Sequence, residues 1–112
     1  MHVRSLDRSS TKIEYGVPSQ RNFPWVGVTD PPFGSMWLIV APGEQTDIDQ
    51  HVEPEALVIV SGHGTMRVGT DIQAVSANDI VYIPAGAEHT VRNDGADELL
   101  GLGIWWDGES VA

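Results

Sequence analysis

Turn-forming residues interrupt this sequence so often that a long regular helix does not fit into it. Twelve glycines and seven prolines are spread over 112 residues, and both residue types disfavour the interior of a helix. No window combines an apolar period near 3.6 residues with helix caps. β-Branched and aromatic runs lie between the turns, at 36–41, 57–60, 65–68, 80–83 and 99–106. The pattern predicts an all-β domain, either a sandwich or a closed barrel.

The length of the chain allows one domain with one core. Residues 1–34 are less regular than the rest, because Pro18, Pro24, Pro31 and Pro32 interrupt them. Proline occurs in edge strands but is excluded from central ones. We therefore expect residues 1–34 to form an N-terminal arm and edge strands, and residues 35–112 to form the barrel of the same domain.

The charge balance argues against several kinds of partner. Six basic residues stand against sixteen acidic ones, a formal charge of -10, which repels the phosphate backbone of nucleic acids. The apolar runs are far shorter than the ~20 residues of a membrane-spanning helix, and residues 1–10 lack the apolar segment of a signal peptide. We expect a cytoplasmic protein with no nucleic-acid or membrane partner, and a small-molecule substrate that is neutral or cationic.

Acidic and histidine side chains occupy every second position between residues 47 and 55. They are Asp47, Asp49, His51, Glu53 and Glu55. In an extended strand these positions share one face. Burying five ionisable groups together is costly, and a bound divalent cation would offset the cost. The alternative is an exposed acidic edge strand, but residues 56–60 are apolar on both faces, which makes the acidic face continuous with the interior.

Two segments of the chain carry glycine, proline, histidine and asparagine at defined intervals. The first segment contains Gly43, Asp49, His51, Glu55 and Gly62, and the second contains Asn78, Pro84, Gly86, His89 and Asn93. The intervals resemble the two motifs of the cupin family, in residues 42–93 and loosely as far as Trp106. The resemblance implies a cupin double-stranded β-helix, which is a jelly-roll barrel, with His89 at the start of a strand.

The resemblance also implies one divalent metal ion held by Asp49, His51, Glu55 and His89. Asp49 stands where the family has a histidine, so the ligand set becomes two imidazoles and two carboxylates. Zinc fits this set first, iron(II) next, and manganese is a third possibility. Asp49 could instead stand back as a base that does not touch the metal. A metal-free barrel that keeps the motif as scaffold is the other alternative.

The second departure from the family motif is Asn78, at a position where the family has glycine. Asparagine tolerates the left-handed backbone conformation that glycine adopts in such turns. We therefore expect the turn at this position to be retained.

Further residues are candidates for catalysis and for the substrate pocket. Glu53 is a candidate general base if it faces the interior, although Pro54 could introduce a bulge that turns it outward. Trp106 shares parity with the large apolar residues of 99–106 and is expected to point inward. With Trp37 and Tyr82 it is a candidate for the pocket lining, although core packing is the common role of such residues.

Gly101 and Gly103 have the opposite parity to Trp106, so we expect them to leave a smooth outer face. Such a face suits close packing against a second subunit, and we expect a homodimer.

The cupin resemblance leaves several functions open, because members of the family catalyse different reactions. The leading hypothesis is a metal-dependent enzyme in which the metal is a Lewis acid and Glu53 or Asp49 moves a proton, as in a lyase, an isomerase or a rearrangement. A similar subgroup acts beside methionyl-tRNA-synthetase-like ligases and ends its barrel with an aromatic run like residues 104–107. That similarity implies zinc and nitrogen–nitrogen bond formation in natural-product biosynthesis. The alternatives are an iron(II) dioxygenase and a ligand-binding cupin that is not an enzyme.

Overall fold

The computed structural model describes residues 1–107 and is built from β-strands. Among these residues no helix is long and apolar enough to cross a membrane. The all-β prediction is confirmed. The strands are β1 (Lys12–Glu14), β2 (Val17–Arg21), β3 (Gly34–Val40), β4 (Glu55–Ser61), β5 (His63–Val68), β6 (Asp71–Ser76), β7 (Ile80–Ile83), β8 (His89–Asn93) and β9 (Leu99–Trp105).

The strands form two sheets whose inner faces enclose the core. The larger sheet has the order β1-β2-β3-β9-β4-β7, and the smaller one has the order β6-β5-β8. The last strand, β9, lies between β3 and β4 and is antiparallel to both. Its register with β3 runs from Gly34 opposite Trp105 to Val40 opposite Leu99. The two halves of the chain therefore meet at the centre of the larger sheet.

Alternation along the strands separates a buried face from a half-buried one. In β4, Glu55, Leu57 and Ile59 are buried while the residues between them are half-buried. Val40, Ile59, Ile83 and Leu99 are completely buried. A one-residue shift would reverse this alternation, so the packing of these side chains fixes the register.

The turn at Asn78 has the conformation expected from the sequence. Asn78 has a φ of 78°, and its N–H donates to the carbonyl oxygen of Ile59 at 2.8 Å. Asparagine therefore replaces the glycine of the family motif without loss of the turn.

Two local features differ from the sequence reading. β6 was not among the apolar runs, because five of its six residues are exposed and only Val75 is buried. The acidic segment before β4 is irregular: Asp49 forms an isolated bridge with His89, and β4 itself begins only at Glu55.

Residues 1–34 contain the two outermost strands on one side of the larger sheet and an N-terminal stretch that lies against that sheet. Gln20 of β2 binds this stretch twice, accepting from the N–H of Asp7 and donating to the carbonyl oxygen of Ser5. Farther along, the guanidinium of Arg8 pairs with the carboxylate of Glu98, next to β9. We call residues 1–10 the arm.

Candidate metal centre

A cavity of about 150 Å³ opens between the two sheets. Its floor is apolar, because Met36, Leu38, Leu57, Met66 and Val91 contribute side chains from four strands. Its upper wall is polar. The polar and aromatic residues that line it are Tyr15, Arg21, Thr46, Asp47, Asp49, His51, Glu53, Glu55, His89, Thr90 and Trp105.

The four side chains expected to hold a metal converge at this cavity. Glu55 is the first residue of β4 and His89 is the first residue of β8. The bridge between Asp49 and His89 brings the irregular segment across to β8, since the two residues exchange backbone hydrogen bonds of 3.0 and 2.9 Å. His51 lies between Asp49 and Glu55 in the sequence and completes the group.

The ligand atoms of Asp49, His51 and His89 all lie within 4.8 Å of one another, and the carboxylate of Glu55 lies next to both histidines. Nε2 of His51 lies 3.0 Å from Oε1 of Glu55 and 3.6 Å from Oδ2 of Asp49. Nε2 of His89 lies 3.6 Å from the same Asp49 oxygen and 3.9 Å from the same Glu55 oxygen. Bonds of about 2.1 Å at the tetrahedral angle separate two ligand atoms by roughly 3.4 Å, so the spacing fits a shared ion.

Backbone carbonyl groups fix the orientation of both imidazole rings. Nδ1 of His51 lies 2.7 Å from the carbonyl oxygen of Glu53, and Nδ1 of His89 lies 2.9 Å from that of Ala87. A carbonyl can only accept a hydrogen bond, so Nδ1 carries the hydrogen in both rings. The lone pair of a neutral ring is then on Nε2, which faces the cavity. Metal-binding histidines are typically oriented in this way.

The contact between His51 and Glu55 requires a proton or a metal ion between the two side chains. With its hydrogen on Nδ1, a neutral His51 presents a lone pair to an oxygen of Glu55 that is also an acceptor. Two acceptors 3.0 Å apart repel each other, so either a proton or a metal ion must lie between them. The donor set of two imidazoles and two carboxylates fits zinc, iron(II) or manganese.

The pKa values of His51 and Glu55 are both raised. Burial raises the pKa of Glu55, against the influence of both histidines, and the charge of Asp49 raises it further. Burial lowers the pKa of His51, but the hydrogen bond to the Glu53 carbonyl and the nearby carboxylates outweigh that effect and leave the pKa raised. Both groups therefore hold a proton more readily than usual.

All five residues at alternate positions between 47 and 55 line the cavity, although only Glu55 belongs to a strand. The shared face comes from the path of an irregular segment. Glu53 is half-buried with its side chain at the cavity. Its role as a general base stays a prediction.

The aromatic residues expected in the pocket do not line the cavity. Trp37 and Tyr82 lie on the outer side of the larger sheet, and Tyr82 is 62% exposed. Trp106 follows β9 and also lies outside the lining, whereas Trp105 lies within it. The parity prediction for β9 was therefore wrong.

The reason is that glycines occupy the inner face of β9. A Cβ on Gly101 would lie 3.1 Å from the side chain of Leu38, and one on Gly103 would lie 3.0 Å from the carboxylate of Glu55. Small residues are needed there to make room for the core and for the carboxylate of Glu55. The smooth outer face that was expected from these glycines does not exist, so that argument for a dimer fails.

Sequence reasoning missed the mouth of the cavity. Arg21 of β2 binds Glu14 with bonds of 2.9 to 3.1 Å, and its guanidinium lies over the ring of Trp105, 5.6 Å from the centroid. Tyr15 lies beside them in a turn with a φ of 53°, and burial, followed by the charge of Asp49, raises its pKa. The only sequence signal for Trp105 was the alternation along β9, and that alternation does not decide which of the two sets of side chains faces inward.

Two solved structures of similar proteins match nearly the whole length of this chain. A cupin 2 conserved barrel domain protein from Salinispora arenicola is 31% identical, with a TM-score of 0.88 over 96% of this chain and 89% of that chain. The plu4264 protein from Photorhabdus luminescens is also 31% identical, with a TM-score of 0.87 over 96% and 88%.

The curated relatives are longer proteins. Auxin-binding protein 1 from Arabidopsis thaliana is 33% identical over 79 residues, which cover 62% of this chain and 40% of that protein. Mannose-1-phosphate guanylyltransferase from Escherichia coli is 34% identical over 59 residues, which cover 52% of this chain and 12% of that enzyme. This chain therefore corresponds to only a part of each.

A family model, Cupin_2 (cupin domain), matches residues 36–105. The match spans more than half of the chain and includes both motif segments and the donor cluster. The expected jelly-roll fold is thereby confirmed, and the chain belongs to the Cupin_2 family of cupin domains.

Proposed function

We propose that this chain is a metal-dependent cupin enzyme that holds one divalent ion, zinc in the first place, through Asp49, His51, Glu55 and His89. The observation that carries the proposal is the contact between His51 and Glu55. The two acceptor atoms lie 3.0 Å apart in a cluster of two buried and two half-buried side chains, whose rings are already oriented by backbone carbonyls. A bound ion would take the place of the proton between His51 and Glu55 and accept a lone pair from each of the four side chains.

The bound metal would act as a Lewis acid that polarises an oxygen of the substrate. The protein residues then supply orientation and proton transfer. We assign the proton transfer to Glu53. Its position in the cavity lining supports this assignment, and its backbone carbonyl holds the ring of His51. The apolar floor excludes water below the ligands and packs against the body of the substrate.

We further propose that the substrate is small and either neutral or cationic. Asp47 and Glu53 add two carboxylates to the lining beyond the proposed ligands. Among residues 1–107, Arg21 is the only Lys or Arg in the lining, and Glu14 already pairs with it. An amine would meet a favourable field there, whereas a polyanion would not. A cavity of about 150 Å³ suits a molecule near the size of a benzene ring.

The reaction class is proposed as a lyase reaction, an isomerisation or a rearrangement. Nitrogen–nitrogen bond formation from an amino-acid derivative is the most specific version, and the acidic cavity mouth supports it. A ligand-binding function without turnover is the second candidate, supported by the similarity to auxin-binding protein 1. An iron(II) dioxygenase would use His51, His89 and one carboxylate, so the identity of the metal separates it from the first proposal.

The first experiment measures metal content and zinc affinity on protein without a histidine tag. We expect near-stoichiometric zinc in the wild type and loss of it in Asp49→Ala and His89→Ala. His63→Ala is the matched control, because His63 is exposed and outside the cavity lining, and it should bind zinc like the wild type. Iron retained in Asp49→Ala would favour the dioxygenase. A wild type that binds none of the three metals would contradict both enzyme proposals.

A second experiment separates turnover from binding. Zinc-loaded protein is incubated with a panel of small amines and amino-acid esters, and products are followed by mass spectrometry. We expect conversion by the wild type, little conversion by Glu53→Gln, and equal zinc affinity in the two proteins. Binding of a panel member without conversion in either protein would favour the ligand-binding function.

A further inference from the structure

A second cavity opens on the side of the barrel where both sheets end. There β7 is the outermost strand of the larger sheet and β6 is the outermost strand of the smaller one. Both strands line this cavity, which has a volume of about 580 Å³. We call it the side cavity, and we call the cavity that contains the proposed metal ligands the main cavity. Sites for small molecules commonly have volumes of roughly 300–1,000 Å³.

The inner side of β6 carries polar residues that are open to solvent. In the pairing of β5 with β6, Gln73 stands opposite Met66 and Asp71 stands opposite Val68. Side chains that stand opposite each other lie on the same side of a sheet, so Asp71 and Gln73 face the interior with Met66. Both are nevertheless exposed. The two sheets therefore diverge on this side and give a ligand access to the interior.

The floor of the side cavity is apolar. Met66 and Val68 of β5, Val75 of β6 and Val81 of β7 line it. Met66 and Val75 are buried, whereas Val68 and Val81 are only half-buried. A ligand with an apolar body would remove these half-buried side chains from water, which favours its binding.

The polar groups of the side cavity favour a cationic ligand. Asp71 and Asp79 both belong to the lining, and within residues 1–107 the lining contains no Lys, Arg or His. The amide of Gln73 donates to one oxygen of Asp71, and the N–H of Ser76 donates to one oxygen of Asp79. Among the same residues no donor binds the other oxygen of either carboxylate. An ammonium group would find acceptors there and no repelling charge.

Met66 separates the side cavity from the main cavity. Its side chain is buried, with 4% of the residue exposed, and among residues 1–107 it alone lines both cavities. Met36 lines the main cavity and not the side cavity. The two methionines therefore differ in which ligand they would contact.

We propose that the side cavity is a second binding site, which takes a small organic cation with an apolar body larger than one ring. The ammonium group lies beside Asp71, and the apolar body covers Val68 and Val81. The main cavity, at about 150 Å³, suits a single ring, so the two cavities select ligands of different size. The lining of the side cavity contains none of the proposed metal ligands, so this site does not depend on the proposed metal centre.

The test uses the methionine methyl groups as reporters. The chain has three methionines, and protein with isotope-labelled methionine methyl groups is titrated with naphthylmethylamine while NMR spectra are recorded. Spectra of Met36→Leu and Met66→Leu assign the signals, since Leu replaces Met in a core with little disturbance. We expect a saturable shift of the Met66 signal and an unchanged Met36 signal.

The charge of the probe and the charge of the protein are then varied separately. Naphthylmethanol has the same rings without the charge and should bind about fivefold more weakly than the amine. Asp71→Asn should weaken binding of the amine about threefold and leave binding of the alcohol unchanged. Asp30→Asn is the matched control, because it removes the same charge at an exposed position outside the lining, and it should bind the amine like the wild type.

Several results would overturn the proposal. A Met66 signal that does not move, or that moves only together with the Met36 signal, would rule out the side cavity as the site. Equal affinity for the amine and the alcohol would rule out a cation as its ligand. Equal amine affinity in Asp71→Asn and Asp30→Asn would exclude the Asp71 carboxylate as the group that binds the charge.

Discussion

Gly101 and Gly103 both lie on the inner face of β9, but they adjoin different neighbours. An added Cβ at Gly103 would press on Oε2 of Glu55 at 3.0 Å. At Gly101 it would press on the side chains of Leu38 and Leu57 at 3.1 to 3.2 Å. Gly103 therefore leaves room for a proposed ligand, and Gly101 leaves room for the core.

These two glycines give a matched pair of substitutions. Gly103→Ala should lower zinc affinity about tenfold, because Glu55 must shift by a few tenths of an ångström. Gly101→Ala should leave zinc affinity unchanged and lower the free energy of unfolding by about 1–2 kcal/mol through overpacking. Zinc titration against a chelating dye and urea unfolding of the metal-free protein measure the two effects. Equal zinc affinity in both variants would argue against Glu55 as a ligand.

At the scale of single residues, spacing and parity differ in what they predict. Spacing brought Asp49, His51, Glu55 and His89 to notice, because ligands of one ion recur at intervals that the fold dictates. The alternation along β9 led to the wrong choice of inward-facing tryptophan between Trp105 and Trp106, because neither of the two alternating sets of side chains contains a charge that would mark the outer side. The set with the larger apolar side chains, Leu100, Leu102 and Ile104, lies on the outer side of the larger sheet. Nothing in the sequence indicates that these residues form a surface there.

The connection between β8 and β9 is held by one buried side chain. Asn93 is 1% exposed. Its Nδ2 donates to the carbonyl oxygens of Val40 and Asp97 at 2.7 and 2.8 Å. Its Oδ1 accepts from the N–H of Gly95 at 2.8 Å. This residue therefore fixes the turn and also ties it to the end of β3.

Asn93→Ala should lower the free energy of unfolding by about 2–4 kcal/mol, because two carbonyls and one N–H lose their partner in a buried place. Urea denaturation measures the change. Gln73→Ala is the control: Gln73 is exposed and its amide binds Asp71, so it should change stability by less than about 0.5 kcal/mol. Equal stability of the two variants would mean that water replaces the Asn93 amide.

At the scale of the elements, apolar runs predicted most strands of the core. They did not predict β6, where polar residues fill an exposed strand, nor the irregular path from Asp49 to Glu55. Both depend on pairings across the fold that no local pattern contains. His89 was expected to begin a strand, and β8 does begin there.

The molecule as a whole carries far more negative than positive charge. Sixteen acidic residues face six basic ones, and several of the acids converge on one cavity. Repulsion among them opposes the compact state, and salt screens it within about 10 Å at moderate ionic strength.

Sodium chloride should therefore raise the thermal midpoint of the metal-free protein by roughly 2–5 °C between low and physiological ionic strength. Differential scanning calorimetry measures the midpoint, and potassium chloride at equal ionic strength is the control for specific ion effects. A midpoint that falls with salt would mean that ion pairs such as Arg21 with Glu14 outweigh the general repulsion.

The position of β9 between β3 and β4 has a consequence for the order of events during synthesis. β3 has no neighbour toward the centre of its sheet until residues 99–105 have left the ribosome. Until then, the inner faces of β3 and β4 are exposed and lack their common partner. The nascent chain must therefore remain without its central pairing until β9 has been made, so the larger sheet forms late in the synthesis of this domain and relies on non-local contacts.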